Sequence, residues 1–152
     1  MGRMQRREFM KMAGLAGAAV AFSGVPSAMA ADEAAEQKAK VDATIKQITG
    51  GKEPGKGGLE LKAPTIAENG AVVPVTIQPK GIVPGRLFLI VDENPIPLIL
   101  DVKVSPKYSG DGAISSRIRM RKTSTVRAYA FDSKGSLYGD FKTVKVTIGG
   151  CG

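Results

Sequence analysis

The chain has 152 residues, of which 43% are hydrophobic, a size and composition suited to one modest domain. It contains no His, no Trp and a single Cys. The absence of His removes the usual base for a cysteine or serine nucleophile and the commonest metal ligand. One Cys can form neither a zinc site nor an internal disulfide. We therefore expect no metal, no cofactor and no catalytic group in this chain, so any chemistry at its thiol must take acid, base and electron acceptor from other molecules.

The first 30 residues have the pattern of a bacterial export signal. Arg6 and Arg7 form a twin-arginine pair, an apolar run rich in Ala and Gly follows at 12–25, and Ala-Met-Ala at 28–30 is a small-x-small cleavage site. The apolar run is shorter than the about 20 residues that a membrane span needs. We therefore predict a twin-arginine (Tat) signal over 1–30, a periplasmic mature protein and no membrane anchor after cleavage.

The charge of the chain is moderately basic. The formal charge is +8, and removal of the predicted signal takes away four bases and one acid, which leaves +5. This charge favours anions or acidic partner surfaces, and we expect no nucleic-acid partner for an exported chain. An outward basic stripe is predicted on adjacent strands, either as a solvated face or as a surface for a dianionic substrate or an acidic partner; its members are Arg117, Arg119, Arg121, Lys122 and Arg127.

Residues 31–58 are predicted to form an N-terminal helix and a Gly-rich linker. The helix runs from Asp32, a candidate N-cap, to Thr49, and two glycines stop it. Its apolar residues recur at spacings that fit one helical face: Ala34, Val41, Ile45 and Ile48. This face packs either on the protein's own domain or on a partner, and the sequence leaves both open.

From residue 59 the apolar residues alternate with polar ones, which is the period of strands with one buried face. About seven short strands, separated by turns rich in Gly, Pro, Asn and Asp, predict an all-β, immunoglobulin-like antiparallel β-sandwich over 59–148. Pro74 predicts an edge position or a bulge for its strand. In the last strand Val144, Val146 and Ile148 are predicted to face inward.

The last strand runs directly into a terminal arm, residues 149–152, made of Gly149, Gly150, Cys151 and Gly152. Glycines lack side chains, so we predict a flexible arm with an exposed thiol. Fully extended, the arm would carry the sulfur roughly 10 Å beyond the last strand residue, which is enough to enter a narrow pocket on another protein. Residue chemistry alone leaves a functional thiol, a cross-linking disulfide and a frayed end all open.

Three stretches of the chain resemble the SoxY family, the sulfur-carrier subunits of bacterial thiosulfate-oxidising Sox systems. They are 144–152 (VKVTIGGCG), 61–75 (LKAPTIAENGAVVPV) and 115–121 (SSRIRMR), followed by Thr123 and Val126. They are spread over the mature chain from residue 61 to its end, and the twin-arginine signal precedes them. The family's tip usually has a second glycine after the cysteine, whereas this chain stops at Gly152.

The resemblance implies a covalent carrier that is not itself an enzyme. Such a protein would form a heterodimer with a SoxZ-like subunit and hold sulfur intermediates on the thiol of Cys151, the site of covalent attachment. A SoxAX cytochrome would join thiosulfate oxidatively to Cys151 as an S-thiosulfonate, and a SoxB hydrolase would release the terminal sulfonate as sulfate. In complete systems a SoxCD sulfane dehydrogenase would oxidise the remaining sulfur. Because they lack side chains, the glycines of the arm would let it enter several differently shaped active sites.

Two other classes of function stay open. The first is an exported structural sandwich that uses Cys151 only for an intermolecular disulfide, for example in a disulfide-linked dimer. In that case a reducing agent would change assembly but not metabolism. The second is a thiol oxidoreductase that acts alone, and the lack of His and of a C-x-x-C pair disfavours it.

Overall fold

A computed structural model of the chain describes residues 27–105, 107 and 111–148, with the backbone alone for 27–31. The predicted export residues Arg6 and Arg7 and the predicted arm, 149–152, lie outside the described residues. Within the described part, no helix has the length and apolar character that crossing a membrane requires.

The described residues form a helix followed by eight strands. They are α1 (Ser27–Thr49), β1 (Leu59–Lys62), β2 (Ile66–Asn69), β3 (Val73–Pro79), β4 (Pro84–Val91), β5 (Leu98–Lys103), β6 (Ile114–Ile118), β7 (Ser124–Asp132) and β8 (Leu137–Ile148).

Two sheets face each other as a sandwich. One has the strand order β1-β3-β6 and the other β2-β8-β7-β4-β5. All pairs are antiparallel except β2 with β8, which is parallel, with Ala67 opposite Val146. The predicted immunoglobulin-like β-sandwich with an N-terminal helix is therefore confirmed. The sequence reading missed β2, because four residues beside a turn are too few to show a clear alternation.

β4 contains an unbroken apolar run because both of its faces are buried. Leu87, Leu89 and Val91 point into the space between the sheets, whereas Phe88 and Ile90 point to the other side of the sheet. All five are buried, since α1 covers that second side. A strand covered on both faces has no polar side to alternate.

The helix packs on its own domain, one of the two arrangements that its apolar face allows. Val41 is buried against Phe88 and Ile90, with Ile45 and Ile48 partly buried beside it. The prediction was wrong for two other residues. Ala34 is exposed, and the candidate N-cap Asp32 lies inside the helix, which begins at Ser27.

The Gly-rich segment after the helix is attached to β8. The backbone N–H of Gly55 donates to the carbonyl oxygen of Leu137 (2.8 Å), and Gly139 donates to the carbonyl of Gly55 (3.2 Å). A Cβ at Gly58 would collide with the ring of Tyr138. This close approach requires glycine at position 58, so the predicted linker also packs on the sandwich.

Pro74 does not mark an edge strand, because β3 is the middle strand of its sheet. The pairing of β1 with β3 ends at Lys62 opposite Thr76, two residues short of Pro74. On its other side Pro74 lies opposite Arg117 of β6. The proline therefore sits where only one flank of β3 is paired, a position at which a sheet tolerates a residue without an N–H.

Candidate functional site

Cys151, Gly149, Gly150 and Gly152 lie outside the described residues, so the structure shows the site up to Ile148. The final residues of β8, Lys145–Ile148, are called the arm root here, since the predicted arm begins immediately after them. Val144 is fully buried and Val146 partly, as predicted. The prediction was wrong for Ile148, which is 68% exposed because β8 there extends beyond the packed core.

The arm root is held by hydrogen bonds on its β2 side. The N–H of Lys145 donates to the carbonyl of Thr65 (2.9 Å), and the carbonyl of Ile148 accepts from the N–H of Gly70 (2.8 Å). Between them, the hydroxyl of Thr147 donates to the carbonyl of Glu68 (2.9 Å). The backbone is therefore fixed up to the last described residue.

Thr123 holds the opposite side of the arm root. The N–H of Val146 donates to the hydroxyl oxygen of Thr123 (3.0 Å), and that hydroxyl lies 3.5 Å from the carbonyl oxygen of Val146. The register of β7 with β8 ends nearby, with Ser124 opposite Val144. Bonds on both sides define a fixed starting point for the arm, so its reach depends on the residues after Ile148 alone.

Two crossover connections between the sheets meet at this point. Residues 70–72 lead from β2 to β3, and residues 119–123 lead from β6 to β7. Gly70 joins both to the arm root, since its carbonyl accepts from the N–H of Met120 (2.7 Å) and its N–H donates to Ile148. Met120 is fully buried, which anchors the second crossover in the core.

A buried asparagine fixes the second crossover. Asn94 is 8% exposed, and its side-chain amide donates to the carbonyl of Arg119 (2.7 Å) and accepts from the N–H of Arg121 (3.1 Å). The side-chain amide of Gln37 on α1 lies within 2.7 Å of the carbonyl oxygens of both Asp92 and Asn94. Hydrogen bonds thus link the helix to the arm root, an arrangement that the sequence reading missed because these residues lie far apart in the chain.

The side chains around the arm root are a mixture of apolar and basic groups. Val72, in the first crossover, is 54% exposed, and Ile148 is exposed as well. In the second crossover Arg121 and Lys122 are exposed. Lys122 forms an ion pair with Glu93 (2.8 Å).

The predicted basic stripe is not one surface. Arg117 belongs to β6 in the three-stranded sheet, whereas Arg127 belongs to β7 in the five-stranded sheet. The guanidinium of Arg127 bonds both carboxylate oxygens of Asp92 (2.9 Å each). These bonds raise the pKa of Arg127, and burial raises the pKa of the neighbouring Tyr129. The stripe was predicted from alternation within single strands, which does not show that β6 and β7 belong to different sheets.

Two acidic side chains, Asp101 and Asp140, stabilise contacts between strands. Asp101 bonds Arg86 through both of its oxygens (2.8 and 2.7 Å), and this pairing lowers the pKa of Asp101. Asp140 accepts from the backbone N–H of Leu61 (2.8 Å) and so links β8 to β1. Among the residues that the structure describes, no group of three or more His, Cys, Asp or Glu could hold a metal ion.

Comparison with known proteins identifies the family. The profile of the family described as sulfur oxidation protein SoxY matches residues 45–151. The solved structure of the sulfur carrier protein SoxY from Chlorobium limicola f thiosulfatophilum is 31% identical, with a TM-score of 0.60, over 72% of this chain and 98% of that one.

A superoxide reductase (neelaredoxin) from Ignicoccus hospitalis is 14% identical, with a TM-score of 0.49, over 59% of this chain and 80% of that one. That similarity is too low for any functional conclusion. A search of curated proteins finds no match. The sequence profile extends through Cys151, and the SoxY structure agrees over nearly its whole length. This chain therefore belongs to the SoxY family of sulfur oxidation proteins.

Proposed function

We propose that this protein is a periplasmic carrier that holds thiosulfate-derived sulfur covalently on the thiol of Cys151 and presents it to Sox enzymes. Membership in the SoxY family supports the carrier role. The observation that carries the proposal is the anchoring of the arm root: β8 is hydrogen-bonded to Thr123 at Val146 and, on its β2 side, as far as Ile148, three residues before the thiol. A fixed root followed by a short glycine-rich segment suits a substrate that must enter several enzymes in turn.

The proposed loading step needs an outside oxidant. Joining the thiol of Cys151 to the outer sulfur of thiosulfate forms one sulfur–sulfur bond and releases one proton and two electrons. Cys151 is the only cysteine of the chain, so we assign the electrons to a SoxAX cytochrome. Hydrolysis by a SoxB enzyme would then break the bond between the outer sulfur and the sulfonate, release sulfate and leave a persulfide on Cys151. A SoxCD dehydrogenase would oxidise that persulfide where it is present.

Intact mass spectrometry tests the carrier role. Mature protein is purified without reductant from thiosulfate-grown cells and measured before and after reduction, beside a Cys151→Ser variant. We expect reducible masses of a thiosulfonate or of added sulfur on the parent chain and none on the variant. A bare thiol, or a disulfide-linked dimer alone, would overturn the proposal in favour of a structural role for the cysteine. Thiosulfate-dependent turnover that persists with the Ser variant in a reconstituted system would also overturn it.

We also propose that the protein forms a heterodimer with a SoxZ-like subunit. Phe141 of β8 supports a partner surface on the five-stranded sheet, because its ring is 70% exposed. The helix packs against Phe88, Tyr129 and Leu137, the first residue of β8, and leaves Phe141 exposed. An exposed aromatic residue on an ordered strand is the type of residue that anchors protein interfaces.

Co-purification with the SoxZ-like subunit tests the surface. Phe141→Ser should lower the amount of partner that is retained at least several-fold, whereas Ile96→Ser, at a residue 74% exposed in the turn between β4 and β5, should not. Equal retention by both variants would move the partner surface away from Phe141. Failure of the parent chain to retain the partner would contradict the heterodimer itself.

A further inference from the structure

We propose that the export signal is cut inside the first turn of α1, and that this cut moves the start of the helix from Ser27 to Asp32. The chemical step is hydrolysis of the Ala30–Ala31 peptide bond, in which one water molecule yields a carboxylate on the signal fragment and the new terminal ammonium on Ala31. The inference rests on the predicted signal over 1–30, and it adds a change of structure that accompanies processing.

The predicted cleavage motif lies within the helix and not ahead of it. α1 spans Ser27–Thr49, so the small-x-small motif at 28–30 falls in its first turn. In an α-helix the carbonyls of residues 27–30 accept from the N–H groups of residues 31–34, so about four hydrogen bonds bridge the peptide bond that is cut. The helical backbone therefore protects this bond.

The first turn is also the part of the helix that opens most easily. Proteases cut backbone that has opened, so the cut requires this turn to unwind. The first four N–H groups of a helix have no intrahelical partner, and helix ends fray at little cost. The first turn of α1 contains no acidic residue to stabilise the positive end of the helix dipole. Local opening of this turn gives the peptidase its substrate.

Opening the first turn leaves the rest of α1 in place. Residues 32–36 are all exposed. The side-chain amide of Gln37, by contrast, donates to the carbonyls of Asp92 and Asn94 (2.7 Å each), and Val41 is buried. The helix is thus anchored from Gln37 onward, and the segment ahead of it unwinds without loss of core packing.

The chain that remains after the cut has the sequence of a helix start. Asp32 becomes its second residue, and a carboxylate there accepts from free N–H groups two or three residues later, as an N-cap does. Glu33 and Glu36 then lie at the beginning of the helix, where negative charge is favourable. In the uncut chain Asp32 lies inside the helix. The pattern that predicted a cap at Asp32 therefore describes the processed chain.

Cleavage of the purified full-length chain by a type I signal peptidase tests the opening step. Gly in place of Ala favours opening of an exposed helical turn about four- to five-fold, so Ala34→Gly should speed the cut by about that factor. Ala43→Gly is the matched control, because it makes the same exchange at an exposed residue behind the anchor at Gln37. It should change the rate by less than about 1.5-fold, since the opening is local.

A peptide of residues 24–36 separates opening from recognition. It is too short for a stable helix, so Ala34→Gly should leave its cleavage rate unchanged. Parent and Ala34→Gly full-length chains that are cut at the same rate would overturn the proposal. Equal acceleration by the two glycine variants would overturn it as well.

Amide hydrogen exchange measures the helix start in the uncut chain and in the processed chain. After processing, Asp32→Ala should speed exchange of the N–H groups of Glu36 and Gln37 roughly five-fold, because the cap is lost. In the uncut chain the same change should not speed it, because Ala is the better helix former inside a helix. Asp42→Ala, in the middle of α1, should not speed exchange in either form. Equal effects of Asp32→Ala in the two forms would overturn the change of helix start.

Intact mass of the exported protein shows which bond is cut. A mature chain that begins at Ala31 is expected, and a cut at another bond would overturn the proposal. None of these measurements uses thiosulfate or the thiol of Cys151. A helix start that fails these tests and a carrier function that fails in cells are therefore distinguishable.

Discussion

Replacement of Asn94 by Ala is expected to be among the most damaging single changes outside the apolar core. It removes the hydrogen bonds to the carbonyl of Arg119 and the N–H of Arg121. One such bond contributes about 0.5 to 1.5 kcal/mol net, and a buried partner left without a bond costs about 1 to 3 kcal/mol. Because Asn94 is only 8% exposed, water replaces these bonds poorly. We expect the free energy of unfolding to fall by about 2 to 4 kcal/mol.

Urea denaturation followed by circular dichroism measures this loss. With a slope of about 1 to 3 kcal/mol per M for a small domain, the midpoint should fall by roughly 1 to 2 M. Asn69→Ala is the matched control, since its side chain accepts one bond, from the N–H of Ala71 (2.8 Å), in an exposed turn. It should lower the free energy of unfolding by less than about 1 kcal/mol. Similar losses for the two variants would refute the view that Asn94 fixes the crossover beside the arm root.

Asp92→Asn removes the charge that pairs with Arg127, whose side chains are 19% and 33% exposed, and should lower the free energy of unfolding by about 1 to 3 kcal/mol in urea denaturation. Asp101→Asn breaks an equally close pair with Arg86 at a more exposed position, so its loss should stay below about 1 kcal/mol. Because Arg86 holds the pKa of Asp101 below its ordinary 3.8, that pair stabilises the fold above the unfolded pKa and stops doing so as pH falls through the folded pKa. Denaturation curves below about pH 4 should therefore show a steeper loss for the parent chain than for Asp101→Asn. Met120→Ala, at a fully buried residue, should lower the free energy of unfolding by about 2 to 5 kcal/mol.

Each of these expectations has an outcome that contradicts it. Equal losses for the two aspartate variants would mean that burial does not control the strength of these ion pairs. Parallel acid profiles for the parent chain and Asp101→Asn would contradict a lowered pKa at that carboxylate. A loss below about 1 kcal/mol for Met120→Ala would mean that the crossover can close over the lost side chain without a cavity.

Much of the fold follows from local patterns in the sequence. Alternation with a period of two predicted the sandwich, because successive side chains of a strand point to opposite faces and their polarity shows which face is buried. The residues of the SoxY resemblance predicted the family, which the sequence profile and the solved SoxY structure support. The assignment of Cys151 as the attachment site stays a prediction.

The errors share a physical cause, since each concerns contacts between distant parts of the chain. Pro74 was predicted at an edge or a bulge because the sequence of one strand does not reveal where the neighbouring strand ends. Arg127 was grouped with the bases of β6 because alternation does not reveal sheet membership. Ile148 was predicted to face inward because the alternation of apolar residues along β8 continues past the end of the packed core, where Ile148 is exposed.

The sequence by itself determined the strand period, the end of the helix at its two glycines and the single thiol three residues after the last strand, since these depend on neighbouring residues. Only the tertiary structure decided that α1 covers its own sheet and that the arm root is fixed on both sides. It also decided that Gly70 and Asn94 hold the connection from β6 to β7 in place near the root. These arrangements depend on hydrogen bonds and packing contacts between residues that are distant in the sequence. Local sequence patterns therefore do not predict them.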